Sequence, residues 1–149
     1  VLTTSPHKGE WYLTDAFQYM IDHGAKIRVV DVAGWYDAGQ LETLLDTNRT
    51  MLEKGRARRP DAVGDGVTLI DPVYIEDGCT IEHATLGPNV SLGAGSTVRH
   101  STIANAVIGE RATIEHAALH NAFLGDRVVV HGVHGSMSIG DDSEIRVNT

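Results

Sequence analysis

The sequence has few of the features that mark secreted, membrane or nucleic-acid-binding proteins. Its 149 residues include one cysteine, Cys79, so an internal disulfide is excluded and the composition fits a reducing cytoplasm. No apolar run approaches the roughly 20 residues that span a bilayer, and no basic segment with an apolar core marks a signal peptide. Positive charge is scarce: 12 Lys and Arg stand against 20 Asp and Glu, a net charge of -8. Since a nucleic-acid partner needs a basic face, this balance argues against one.

Aromatic residues make up only 5% of the chain, whereas glycines number 16. A Gly-rich, aliphatic sequence with few aromatic side chains favours many short strands and turns. The sequence begins with Val1 rather than Met, and we expect the chain to be a fragment or a processed product.

Residues 1–54 have the pattern of an α/β domain. The segment LTDAFQYMIDHG predicts an amphipathic helix that ends at Gly24, and KIRVVDVA alternates as a strand does. A second helix is predicted from Gln40 to Lys54, ended by Gly55. Because two helices and one strand cannot bury one another's apolar faces, we interpret this half as the C-terminal part of a larger α/β domain.

A change of pattern follows at residues 55–66, GRARRPDAVGDG, whose arginines, glycines and proline predict a solvated linker. From Val67 onward, aliphatic residues recur at long, constant steps. Two columns keep steps of 17, 16, 16 and 15 residues: Ile75, Leu92, Ile108, Leu124 and Ile139 in one, and Ile81, Val98, Ile114, Val130 and Ile145 in the other. A third runs through Leu86, Ile103 and Leu119.

Neither a helix period of 3.6 nor a strand period of 2 produces such steps. A triangular coil with three short strands per turn does, if each leading aliphatic points inward and stacks on its counterpart about 4.8 Å away. A column of small residues, Cys79, Ser96, Ala112, Val128 and Ser143, and turn-compatible Glu or Gly after the leading aliphatic fit the same coil. Residues 67–149 are therefore predicted to form a parallel β-helix of hexapeptide repeats, a mostly β fold. Parallel crossovers are normally right-handed, and spacing alone does not fix the hand of the coil.

The segment PVYIEDGCTIEHATLGPNVSLGAGSTV resembles the left-handed β-helix of sugar-1-phosphate nucleotidylyltransferases. The first half agrees, because GE..LTDA, GWYDAG and the helix containing TNR resemble the end of a catalytic domain of the long glucose-1-phosphate thymidylyltransferase type. The resemblance covers nearly the whole chain and implies a left-handed coil. It also implies an enzyme that joins a nucleotide, here expected to be dTMP, to a sugar 1-phosphate and releases pyrophosphate.

The resemblance places two site residues in this chain. Asp37 falls at the aspartate that binds Mg²⁺ in the family, although the residues alone equally fit a cap of the following helix. Lys8 falls where relatives carry an arginine that grips the sugar phosphate, and lysine keeps the charge without the bidentate geometry. The family's glycine-rich nucleotide loop has no counterpart here. The catalytic residues are therefore expected upstream of Val1, and the isolated chain is expected to be inactive, without bound Mg²⁺.

Histidines support a rival hypothesis. His83, His100 and His116 recur at steps of 17 and 16, so a coil would stack them along one edge, with His120, His131 and His134 following. Related β-helix proteins include acetyl-CoA-dependent acyltransferases with a histidine general base, for which His116 and His131 are the candidates here, and some relatives carry both activities. A solvent-facing stack is the simplest interpretation. Zinc is disfavoured because parallel ligands do not converge tetrahedrally on one ion.

The sequence thus predicts a cytoplasmic transferase whose substrates are a nucleoside triphosphate and a sugar 1-phosphate. We expect the β-helix to serve assembly or regulation, because flat parallel rungs offer long faces for a homo-oligomer. Neither the base nor the sugar is specified by the residues present.

Overall fold

The computed structural model describes residues 12–36, 38–60 and 62–147, which form two compact units, 12–35 and 36–147. The first unit contains helix α1, Leu13–Asp22, which ends as predicted with Gly24 at φ 85°. The strand predicted over residues 26–33 is wrong: these residues are described and form no strand. A strand is stabilised by a hydrogen-bonded neighbour, and the described part of this unit contains no strand that could pair with it.

The second unit is a parallel β-helix with one helix attached. Helix α2 spans Leu41–Met51 and continues as a wider turn over Leu52–Arg56, where Gly55 has φ 87°. The strands are β1 (Thr68–Leu69), β2 (Val73–Ile75), β3 (Thr80–Glu82), β4 (Thr85–Leu86), β5 (Val90–Leu92), β6 (Thr97–Arg99), β7 (Thr102–Ile108), β8 (Thr113–Glu115), β9 (Ala118–Leu124), β10 (Val129–His131), β11 (His134–Ile139) and β12 (Glu144–Arg146).

The strand pairing confirms the predicted columns. Ile75 pairs with Leu92, Leu92 with Ile108, Ile108 with Leu124, and Leu124 with Ile139, all in parallel ladders. The column from Ile81 to Ile145 pairs in the same way through β3, β6, β8, β10 and β12. Leu86, Ile103 and Leu119 form the third column. Residues 68–146 therefore form a three-sided parallel β-helix, and its left hand stays a prediction from the resemblance.

The core is a continuous column of aliphatic side chains inside the coil. Leu92, Val98 and Ile103, one from each side of the same turn, have no exposed surface. In the last turn Ile139 and Ile145 are only partly buried. The final step of 15 residues has a visible cause: the ladder between β9 and β11 shifts between Gly135 and Met137, where one residue fewer turns the corner.

The glycines that follow the leading aliphatic residues are compatible with a turn. They are also needed because successive turns of the coil approach one another closely at these positions. A Cβ built on Gly109 would lie 2.7 Å from the backbone nitrogen of Asp126 in the next turn. Three residues further along each turn, the small column is confirmed, with Ser96 and Ala112 buried. Ser96 Oγ donates to the carbonyl oxygen of Gly109 at 3.0 Å and accepts from the Ala112 N–H at 3.0 Å. Successive turns are thus joined by backbone ladders and by this buried hydroxyl.

Helix α2 packs on the outside of the β-helix, against β7 and β9, and buries Leu45, while the turn that follows it buries Leu52. Part of the predicted linker also contacts the first turn. Arg59 donates from Nε and Nη2 to the two carboxylate oxygens of Asp71, at 2.8 and 2.6 Å, and Arg58 pairs with Asp77. The domain limits at 54 and 66 stay predictions, whereas compactness divides the chain between residues 35 and 36.

Candidate functional site

The two residues assigned by the resemblance, Lys8 and Asp37, lie outside the described residues. The residues on either side of Asp37 are described. Trp35 is 87% exposed, and the Lys54 ammonium donates a hydrogen bond to the Tyr36 hydroxyl. The two aromatic residues that precede Asp37 therefore differ: one is open to solvent and the other is held by the turn that follows α2.

Helix α2 begins with a capping box. The N-cap is Gln40, whose backbone N–H donates to Thr43 Oγ1 at 3.3 Å, while the Thr43 hydroxyl donates back to the Gln40 carbonyl oxygen at 3.0 Å. The N-cap position of α2 is therefore residue 40. Asp37 lies outside the described residues, and its two interpretations, as a helix cap and as a metal ligand, both stay predictions.

The predicted histidine stack is present on one edge of the β-helix. The ring centroids of His83 and His100 lie 5.2 Å apart with an interplanar angle of 8°, and those of His100 and His116 lie 4.9 Å apart at 11°. Each of the three has a left-handed backbone, with φ near 50°, which places it at a corner of the coil. The rings are stacked because the corners repeat at the spacing of the turns.

The stack borders a shallow groove of about 370 Å³ that also contacts His134, Ser101 and Thr102. His131 meets His116 edge to face, with ring centroids 5.3 Å apart at 62°. The structure thus brings together the two histidines of the acyltransferase hypothesis. Beside the groove, Arg99 lies between Glu82 and Glu115, with N–O distances of 2.9 and 3.5 Å.

This groove does not have the geometry of a metal centre. Near-parallel rings about 5 Å apart direct their nitrogen lone pairs side by side, whereas a zinc site needs ligands that converge. Within the described ranges, no three His, Cys, Asp or Glu side chains are grouped so that they could hold an ion.

A second cavity, of about 280 Å³, lies at the first turn and is lined by residues including Arg58, Glu76 and Cys79. Burial raises the pKa of the Cys79 thiol, which lowers the fraction of reactive thiolate. Its Sγ lies 3.2 Å from the Gly93 carbonyl oxygen. Cys79 is therefore a structural member of the small-residue column rather than a nucleophile.

Another corner of the coil contains a column that the sequence analysis missed: Asn89, Asn105 and Asn121, with φ of 64°, 45° and 50°. Asn105 Nδ2 donates to Asn121 Oδ1 at 2.7 Å. The sequence contained a signal for this column, since the three asparagines recur at steps of 16 residues. Asparagine also tolerates the left-handed backbone better than most residues. This corner faces α2, since Asn48 Nδ2 donates to the Asn89 carbonyl oxygen at 3.2 Å.

Neither helix in the described part of the chain has the length and apolar character of a membrane span. No protein-family model and no solved structure matches the chain.

Comparison with curated proteins does identify relatives. The chain is 34% identical over 102 residues to a glucose-1-phosphate thymidylyltransferase of Streptomyces griseus, a match that covers 67% of this chain and 28% of the relative. It is 31% identical over 97 residues to the protein of the same name from Streptomyces antibioticus, covering 64% and 27%. A match at 26% identity over 123 residues is the "Bifunctional protein GlmU" of Marinobacter nauticus, covering 70% and 26%.

The chain therefore spans little more than a quarter of the length of the relatives named thymidylyltransferase. These matches agree with the motifs and with the parallel β-helix. Over about two thirds of its length, the chain is homologous to the glucose-1-phosphate thymidylyltransferases, as its motifs predicted.

Proposed function

We propose that the chain is part of a sugar-1-phosphate nucleotidylyltransferase that transfers dTMP from a nucleoside triphosphate to a sugar 1-phosphate. An oxygen of the sugar phosphate attacks the α-phosphorus, and the bond to the β-phosphate breaks to release pyrophosphate. The observation that carries this proposal is the homology to two proteins named glucose-1-phosphate thymidylyltransferase. The parallel β-helix with the register predicted from the motifs supports it.

In this proposal Asp37 contributes a carboxylate to a Mg²⁺ site, and Lys8 contacts the sugar phosphate. Phosphoryl-type transfer depends on positioning and charge neutralisation, and a bound Mg²⁺ supplies the positive charge. The use of Gln40 as the helix cap supports a separate role for Asp37. The remaining catalytic groups are expected in a segment upstream of Val1.

The test compares the full-length protein with the 149-residue chain in a pyrophosphate-release assay. Glucose 1-phosphate is supplied with dTTP, UTP, GTP or ATP, and release is expected with the full-length protein only, fastest with dTTP. Release by the 149-residue chain alone would show that the site is complete without an upstream segment and would contradict the proposal.

Asp37→Asn in the full-length protein is expected to lower kcat/KM about 100-fold or more, since metal charge stabilisation is worth several kcal/mol. Asp31→Asn is the matched control, because Asp31 is an exposed aspartate six residues earlier. Equal activities of the two variants would remove Asp37 from the site.

We further propose that the β-helix assembles the protein into a homo-oligomer. Its flat sides provide the contact faces. Light scattering of the full-length protein is expected to give a multiple of the chain mass, and a monomer at high concentration would contradict this role.

A second candidate, acyl transfer from acetyl-CoA, is favoured by the groove lined by His116, whose ring also meets that of His131. One ring of the pair would act as general base in this reaction. Calorimetry with millimolar acetyl-CoA tests it, with His116→Asn as the variant. Absence of binding heat would remove this candidate and leave nucleotidyl transfer unaffected.

A further inference from the structure

Helix α2 lies lengthwise on the side of the β-helix formed by β2, β5, β7 and β9. It packs against β7 and β9, whereas the turn at Leu52–Arg56 packs against β2. Its 11 residues extend about 16 Å at 1.5 Å each, which is close to three turn spacings of about 4.8 Å. The helix therefore begins beside the later turns of the coil and ends beside the first.

A helix on such a repeated surface is held weakly along the coil axis by apolar contacts. Burial of Leu45 and Leu52 favours docking, but hydrophobic contact is non-directional. Successive turns present similar surfaces about 4.8 Å apart, close to the 5.4 Å pitch of the helix. A slip by one turn would therefore preserve much of the apolar contact, and a directional contact is needed to select one position.

Asn48 provides that directional contact. Its Nδ2 donates to the Asn89 carbonyl oxygen at 3.2 Å, and its Oδ1 accepts from Ser91 Oγ at 2.6 Å. Both hydrogen bonds are partly buried, where each is worth about 1 kcal/mol and a broken one leaves an unpaired polar group. The amide thus fixes α2 to the second turn of the coil.

The hydroxyl of Ser91 has no small counterpart in the turns directly before and after it. In the ladder, Ser91 aligns with Tyr74 on one side and Val107 on the other, and Val107 aligns with Phe123. Valine and phenylalanine have no donor, and the Tyr74 hydroxyl donates to Glu76 at 3.2 Å. The column continues from Phe123 to Ser138, which lies three turns from Ser91. Within one turn on either side of Ser91, no other aligned residue places a small hydroxyl where Asn48 could use it after a slip by one turn.

We infer that Asn48 and Ser91 are positioning residues: their hydrogen bond sets where α2 begins and thereby where residues 38–40 lie. This inference rests on the proposed function, in which Asp37, the residue directly before that segment, contributes to the Mg²⁺ site. Asp37 precedes the first residue of α2 by four positions, so a slip of the helix along the coil displaces the segment with it. A displacement of about 1 Å at a reacting centre can cost about 100-fold in rate.

The test uses two nearly isosteric substitutions in the full-length protein, Ser91→Thr and Ser91→Val. Threonine keeps the hydroxyl and valine removes it, while both suit a strand. Ser91→Val is expected to lower kcat/KM for pyrophosphate release about tenfold or more and to speed amide exchange in residues 38–45. Ser91→Thr is expected to keep the wild-type values of both.

A second pair of variants examines the helix side of the contact. Asn48→Ala is expected to have effects at least as large as those of Ser91→Val, because it also removes the hydrogen bond to the Asn89 carbonyl oxygen. The double variant is expected to add little to Asn48→Ala, which already lacks the hydrogen bond to Ser91. Arg49→Ala is the control on the same helix. It removes only a solvent-exposed pair with Asp46, at 2.7 Å, and is expected to leave kcat/KM and exchange unchanged.

The outcomes separate this inference from the proposed function. An inactive wild-type protein overturns the proposed function, while amide exchange still measures the position of α2. Equal exchange in wild type, Ser91→Thr and Ser91→Val overturns the inference even if the enzyme is active. Activity loss that tracks a fall in the unfolding midpoint across all variants indicates a purely structural contact and also overturns it.

Discussion

In the β-helix, buried aliphatic side chains have 0 to 5% of their surface exposed, whereas Phe17, Met20 and Ile21 of α1 are 46 to 48% exposed. Similar apolar residues therefore have different environments in the two units. Each inward side chain of the coil meets its counterpart one turn away, while no residue of α1 is buried. The comparison shows that repetition, more than apolar content, produces the core of this chain.

The largest effect is expected from removing side-chain volume in the core column. Ile114 has no exposed surface, so Ile114→Ala should lower the free energy of unfolding by about 2–5 kcal/mol. The matched change Ile21→Ala, at a side chain 48% exposed, should cost less than about 1 kcal/mol. Urea unfolding followed by circular dichroism measures both changes. Similar losses in the free energy of unfolding at the two positions would contradict the difference between the two units.

A smaller effect is expected at the glycine corner, where the spacing of the turns leaves no room for a side chain. Gly109→Ala would bring a Cβ to 2.7 Å from the backbone of the next turn and should cost about 1–3 kcal/mol. In the last turn a Cβ on Gly140 would meet no atom within 4 Å, so Gly140→Ala should change stability by less than about 1 kcal/mol. Thermal unfolding distinguishes the two, and an equally tolerated Gly109→Ala would show that the turns can separate.

The smallest effect is a pH dependence in the last turn. Arg127 pairs with Asp142, with Nη2 to Oδ2 at 2.8 Å, and holds the pKa of that carboxyl below its usual range. Its contribution is therefore present above the unfolded pKa of about 3.9 and is lost as the pH falls through the lower folded pKa. Asp142→Asn should shift the unfolding midpoint slightly at pH 7 and less below pH ~3. A shift that grows on acidification would contradict the pairing.

The columns of the β-helix could be predicted because they depend on a repeated local rule. Ile81, Val98 and Ile114 each belong to a short strand, and their constant spacing shows which residues stack. The histidine stack followed from the same steps. The strand over residues 26–33 was predicted from alternation alone, and alternation does not supply the neighbouring strand that a ladder requires.

Other features of the candidate site depended on contacts between distant residues. Nothing in the sequence around Asn48 indicates that its amide bonds Ser91, 43 positions later. The helix was predicted as part of the first half, yet it packs on the β-helix. The asparagine corner had a signal in its spacing, but its role in holding α2 required the structure.

The sequence by itself determined the coil, its turn length and the identity of its inward residues, because stacking repeats the same short-range requirement in every turn. The homology also follows from the sequence alone, at 34% identity over 102 residues. Only the tertiary structure decided which surface α2 covers and that Asn48 bonds Ser91. Those decisions depend on the relative placement of segments far apart in the chain, which no local pattern specifies.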